Sequence, residues 1–452
     1  MRNARLQRAE WALAALSLLA TGVLVQARWR QPNSEYQARR AALRATVDGP
    51  VVLFGYTGRE TSGTLDRFFQ EENFYYLTGY DYPGAALLLV PDAAGNAPYT
   101  GPHEILYLPP RDPVRERWEG PVPGPFDADI RERTGFEAVR PLAELQADLR
   151  RVTALYRKLY TLLPPAQEAG YPHRQVWFHW LQQVVPGAEF DDIGRRLGAM
   201  RQIKSASEIE WIRRAVELSV DAQLAAMRMM RPGLYEYQIA ARMEEVHKAG
   251  GCEREAYAPI VGAGFNATIL HYTALDARIE PGDLVVMDVA CEYGGYAADL
   301  TRTVPADGHF TPRQREIYEA VLGAQKAVVA ALKPGMSFAP DGANSLTRIA
   351  RQYLDTHGHD RQGRPLGRYF IHGLGHHIGL NVHDAGDPYR PLEPGMVVTI
   401  EPGVYIPEEK IGVRIEDDYL ITPTGAICLS ERLPREVEAI EQLMQSARTG
   451  PH

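Results

Sequence analysis

The stretch "EPGDLVVMDVACEYGGYAADLTRTVP" (280–305) decides the fold. A Pro-Gly turn feeds an aliphatic run, which passes through a Gly-Gly turn and returns as a second apolar run. The opening recurs 113 positions later in "EPGMVVTIEPG" (393–403). A helix opened by Thr311-Pro312 and closed by Lys333-Pro334-Gly335 likewise echoes one closed by Arg231-Pro232-Gly233, at an offset of 102. Self-similarity of this kind points to an internal duplication of a helix–strand–hairpin unit. Two halves related by a pseudo-twofold would bring their strands to a shared centre.

The acids on the hairpins give that centre its chemistry. Pairing about a turn between residues 293 and 294 sets Asp288 opposite Asp299. In the second copy, pairing about a turn between 408 and 409 sets Glu401 opposite Glu416. Directly opposed residues of an antiparallel pair have Cβ atoms about 4.5–5.5 Å apart. Four carboxylates so placed repel unless cations lie between them, and more than one divalent ion balances them best. Carboxylates suit hard ions, and imidazole brings in transition metals, so a mixed set favours Mn²⁺, with Co²⁺, Zn²⁺ or Fe²⁺ as other candidates.

The imidazoles lie in "FIHGLGHHIGLNVHD" (370–384), which holds four histidines and three glycines. Gly373, Gly375 and Gly379 argue against a helix and suit a strand or loop whose backbone approaches something closely. His376 and His377 point to opposite faces if the segment is extended. Periodicity does not decide which of His372, His376 and His383 completes the metal set.

Upstream, "VVLFG" (51–55), "NFYYLTGY" (73–80), "AALLLV" (85–90) and "EILYL" (104–108) read as strands, and 109–127 reads as a Pro/Gly-rich loop. Residues 34–195 form a separate α/β domain, with a boundary between Gly194 and Ser205, and residues 196–452 form the second domain. A strong helix follows that boundary, with Ser207 and Glu210 as its capping box and apolar residues at three- and four-residue steps from Ile209 to Met227. Residues 1–33 form a leader. Arg2, Arg5 and Arg8 precede an uncharged run from Trp11 to Ala27, the pattern of a secretory signal peptide or a short membrane anchor. This places the protein in the periplasm, outside the cell or on a membrane, with a cytoplasmic protein as the alternative. Three cysteines are too few for a disulfide framework, and Cys291 reads as a core residue. A net charge of -8 with no Lys/Arg-rich block excludes a nucleic-acid partner.

Together "ILHYT" (269–273), "MDVACEYGGYAADLTRTVP" (287–305), "HGLGHHIGLNVHDAG" (372–386), "TIEPGVYI" (399–406) and "GVRIEDDYLIT" (412–422) resemble the pita-bread metallopeptidases of family M24, in particular aminopeptidase P. The resemblance implies an α+β fold: a C-terminal pita-bread domain with pseudo-twofold duplication, preceded by a creatinase-like α/β domain. It implies two divalent ions held by Asp288, Asp299, His376, Glu401 and Glu416, with Asp299 and Glu416 bridging them. His271 and His383 match substrate-facing histidines, and His372, Tyr405 and Arg414 match residues of the substrate pocket. The implied reaction removes the first residue from peptides with proline second, through a hydroxide bridging the ions, with Glu401 as proton shuttle. Relatives are often dimers or tetramers, which makes a homo-oligomer the expectation. The rivals are a prolidase, which cleaves Xaa-Pro dipeptides on the same fold, and a non-catalytic peptide-binding module. The complete ligand set weighs against the module.

Overall fold

The computed structural model describes residues 30–60, 68–92, 99–165 and 172–449. The apolar run read as a signal or anchor lies outside them. Among the described residues no helix is long and apolar enough to cross a membrane.

The first part is built on a six-stranded sheet: β1 (Val51–Phe54), β2 (Ala86–Leu89), β3 (Glu104–Leu108), β4 (Ala138–Pro141), β5 (Lys158–Thr161) and β6 (Glu189–Asp192), in the order β4-β3-β2-β1-β5-β6. Its central strands are aliphatic throughout because both faces are covered. Val51, Leu53, Leu87 and Leu89 face the large core that continues into the C-terminal half. Val52, Phe54 and Leu88 face a second core beneath the helix Pro172–Val184.

Two local readings are corrected here. "NFYYLTGY" is not a strand: Glu72–Thr78 is a helix, capped by Glu71, which accepts from the Phe74 N–H. Gly79, at φ 57°, ends it. Every residue from Asn73 to Thr78 is buried, so the stretch carries no periodic signal to separate helix from strand. Within 109–127, Pro113–Glu119 is also helical, because Asp112 accepts from the Val114 and Arg115 N–H groups and Pro113 sits at the first turn.

The second part shows the duplication. The helices Ala206–Met229 and Glu236–Gly250 pack together, as do Pro312–Ala331 and Leu346–His357. Each pair accompanies a three-stranded sheet. In the first, the strands Thr301–Pro305 and Ile260–Ala263 flank Leu284–Asp288. In the second, Val397–Ile400 and Gly425–Cys428 flank Asp417–Thr422. Gln223 donates its amide to the carbonyls of Met287 and Leu300. Gln325, 102 positions on, donates to those of Ile400 and Ile415. Equivalent glutamines on equivalent helices thus hold the two acid-bearing hairpins from behind.

The first of these helices starts two residues earlier than its sequence suggests. Ser205 is the cap and Glu208 completes the box, because Ser205-Ala206-Ser207-Glu208 satisfies the motif one turn-half earlier than Ser207 and Glu210 do. Cys291 is buried, but not as a free core thiol. It forms a disulfide with Cys252, tying the strand Cys291–Tyr293 to the end of the helix Glu236–Gly250.

Candidate metal centre

The first hairpin turns at Gly294–Gly295, both with positive φ (61° and 85°), so its centre lies between them. A Cβ on Gly294 would also collide with the Trp211 ring. The pairing is therefore displaced from the expected one. Asp288 faces Thr301 rather than Asp299. Asp299 lies two residues from Thr301 and hence on the same face of the strand, diagonal to Asp288. The second hairpin turns as expected. Ile400 pairs with Asp417 and Gly403 with Arg414, which puts Glu401 opposite Glu416.

Three overlapping groups link the four acids to His376 and His383. Ligand atoms of Asp288, Asp299 and Glu416 lie within 4.8 Å of one another, as do those of His376, Glu401 and Glu416, and those of Asp299, His376 and His383. His376 belongs to two of these groups and His383 to one. The His376 Nδ1 lies 3.1 Å from the His377 carbonyl, which fixes the proton there and turns Nε2 to Asp299 (3.3 Å) and Glu401 (3.5 Å). His377 points away into the core, as alternation requires.

The electrostatics mark a place for cations. Burial, reinforced by Asp299, Glu401 and Asp288, pushes the Glu416 carboxyl well above its ordinary range. Burial also raises Glu401, to about 7, against the pull of His376. Burial raises Asp288 too, although Arg414 opposes it. His376 is lifted to about 9 despite its burial, because Asp299 and Glu401 favour the imidazolium. Asp288 Oδ1 is buried and has no hydrogen-bond partner among the described residues. Four hard carboxylates, one oriented imidazole and an orphaned carboxylate oxygen fit a pair of divalent ions.

The flanks differ. On one side Arg414 donates to Asp288 Oδ2 (2.6 Å) and to the Tyr405 hydroxyl (2.8 Å), which lies 2.9 Å from His372 Nε2. His372 Nδ1 donates to the Gly373 carbonyl (2.7 Å), so Nε2 accepts from Tyr405. Burial and Arg414 lower His372 to about 4, which keeps it neutral. On the other side the His383 ring meets His376 edge-on at 4.3 Å. His271 is exposed at the rim.

Some residues of the site were not legible. The Tyr257 hydroxyl is buried beside Asp288, where burial and the nearby acids raise its pKa strongly. A lone tyrosine in a short connection carries no pattern. Asp418 accepts from the Asp299 N–H (3.1 Å) and so fixes the backbone of Asp299. Asp384 is clamped by Lys204 (2.9 Å) and Arg201, which holds the loop carrying His383. Only the acid's place beside His383 hinted at that.

Residues 210–423 match the family model Metallopeptidase family M24, and residues 36–160 match Aminopeptidase P, N-terminal domain. The Xaa-Pro aminopeptidase of Haemophilus influenzae is 34% identical over 441 residues, covering 91% of this chain and 97% of that relative. The structure of aminopeptidase P from E. coli with the inhibitor Pro-Leu superposes with a TM-score of 0.82 at 31% identity, covering 93% of this chain and 100% of that one. A Zn-substituted form of the E. coli enzyme in complex with product gives 0.81 at 31%, again covering 93% and 100%. The chain belongs to the aminopeptidase P family of M24 metallopeptidases and is a metal-dependent aminopeptidase.

Proposed function

We propose that the protein releases the first residue of peptides whose second residue is proline, using two divalent ions, Mn²⁺ foremost, on Asp288, Asp299, His376, Glu401 and Glu416. The observation that carries this is the meeting of those five side chains in overlapping ligand groups, flanked by the His372–Tyr405–Arg414 chain. Bound ions would supply Lewis acidity and make water acidic enough to ionise near neutral pH.

The protein's own residues do the rest. Glu401 takes the proton of the attacking water and returns it to the leaving proline nitrogen. His383 and His271 donate hydrogen bonds to substrate carbonyls and favour the developing oxyanion. Asp288 receives the free amino terminus, which limits cleavage to the first bond. Neutral His372, with Tyr405 and Arg414 behind it, walls the proline side.

We divide the chain into a leader (1–33), a creatinase-like domain (34–195) and the catalytic domain (196–452). The leader favours export to the periplasm or beyond, or anchoring. The Cys252–Cys291 disulfide supports that placement, since such bonds persist in oxidising compartments. A homo-oligomer, dimer or tetramer, rests on the family resemblance alone.

The test is Mn²⁺-dependent cleavage of Xaa-Pro-Yaa, the dipeptide Xaa-Pro and Xaa-Ala-Yaa. Release of Xaa from the first alone is expected. Cleavage confined to the dipeptide would sink the proposal in favour of a prolidase.

A further inference from the structure

A cavity of about 760 Å³ opens beside His383 and Asn381, running between the helix Gly194–Gln202 and the ends of β1, β5 and β6. Leu162, Leu163, Pro164 and Pro165 give it an apolar wall. Its charged groups are not equivalent. Arg201 is engaged by Asp384 and by Asn73 (2.9 Å). Arg174 lies 3.7 Å from Glu71. Asp192 accepts from the Leu163 and Gly194 N–H groups. Glu72 also lines the cavity, and no hydrogen bond or ion pair engages its carboxylate among the described residues. Its field reaches the neighbours: after burial, Glu72 is the next cause that raises the Tyr56 hydroxyl on the same wall.

Arg201 lies within the same field, which favours its guanidinium, but Glu72 makes no hydrogen bond or ion pair among the described residues. A partly buried carboxylate so placed, above an apolar wall, suits a long aliphatic side chain with a cationic end. The bland alternative is that Glu72 serves only the first turn of its short helix. Position along the substrate follows from the two flanks of the centre. The proposed reaction puts proline beside His372 and Tyr405 and the substrate carbonyl beside His383, and the cavity opens next to His383. We infer that this cavity receives a lysine or arginine side chain of the released residue and that Glu72 selects it. The inference rests on the proposed reaction.

The test uses the metal-loaded full-length protein. In the parent, kcat/KM should favour Arg-Pro-Leu over Ala-Pro-Leu, with Glu-Pro-Leu poorest. E72Q should lower the Arg/Ala ratio on the order of fivefold, the scale of one partly screened ion pair, and E72K should bring Glu-Pro-Leu above Arg-Pro-Leu. Ratios within one variant cancel any loss of folded protein. An Arg/Ala ratio untouched by E72Q overturns the inference. So does a shift that appears with Ala-Pro-Arg rather than Arg-Pro-Leu. If no Xaa-Pro peptide is cleaved, the reaction is wrong, and calorimetry still tests the cavity: equal Kd values of parent and E72Q for Arg-Pro-Leu would overturn it.

Discussion

Asp384→Asn removes one charge and tests how His383 is held. The Asp384 side chain is 1% exposed and faces two buried cations, Lys204 (1%) and Arg201 (6%). Although burial opposes ionisation, Arg201 and Lys204 lower its carboxyl from the ordinary 3.8 to about 2. That displacement corresponds to about 2.4 kcal/mol at 1.36 kcal/mol per tenfold change in proton affinity. Leaving both cations buried without their anion costs more, about 3–5 kcal/mol. Asparagine keeps one acceptor, so the loss should fall near the lower figure. The sign with pH follows from a depressed carboxyl: its stabilisation is full above pH 3.8 and is lost as pH falls through about 2. Parent and variant should therefore differ by a constant amount near neutrality and converge in strong acid. Urea unfolding at pH 7 gives the first number, and repetition at falling pH gives the second. Turnover is the independent readout. The variant should keep its metal and lose on the order of a hundredfold in kcat/KM, the cost of roughly 1 Å of misplacement at a reacting centre. A variant within 1 kcal/mol of the parent, with intact turnover, would refute the clamp.

Two further outcomes follow from the same structure. Cys252→Ser should lower stability by about 4 kcal/mol, the loop-closure value for a 39-residue separation; an unchanged urea midpoint under oxidising conditions would show that the bond does not form. Mn²⁺ binding at pH 7 should release roughly one to two protons per protein, because Glu401 sits at about 7 and the His376 imidazolium, at about 9, has to deprotonate to act as a ligand. Calorimetry in buffers of different ionisation enthalpy reads that number directly, and binding without proton release would contradict both raised groups.

What could be read in advance depended on how far each signal reached along the chain. Glu401 and Glu416 were legible because they flank one turn, so equidistance gives the pairing that the structure shows. Asp288 and Asp299 were legible as a pair but not in register. Two consecutive glycines with positive φ move the turn by one residue and make the acids diagonal instead of opposed. The site survived that error because a move by two along a strand keeps the face. The helix Glu72–Thr78 was hidden because its residues are buried on every side, and only Glu71 and Gly79 mark its ends. Arg201 and Lys204 reach Asp384 across 183 and 180 residues, and no spacing rule spans such a distance.

The duplication also explains which parts of the site are symmetric. Gln223 and Gln325 support the two hairpins in the same way, so the backbone that presents the acids obeys the pseudo-twofold. The groups that would meet a peptide do not. His372, Tyr405 and Arg414 lie on one flank and His383 on the other, all four from the second half of the repeat, whereas His271 and Asp288 come from the first. Two ions need two similar acid pairs, which a duplicated hairpin provides. A peptide has a direction, with an amino terminus on one side of the bond and proline on the other, so its contacts have to break the symmetry. The first part of the chain adds to that bias, since Glu72, Asn73 and Arg174 line the cavity only on the His383 side. Exchange of proline-side groups should therefore act on the residue after the bond, and exchange of Glu72 on the residue before it.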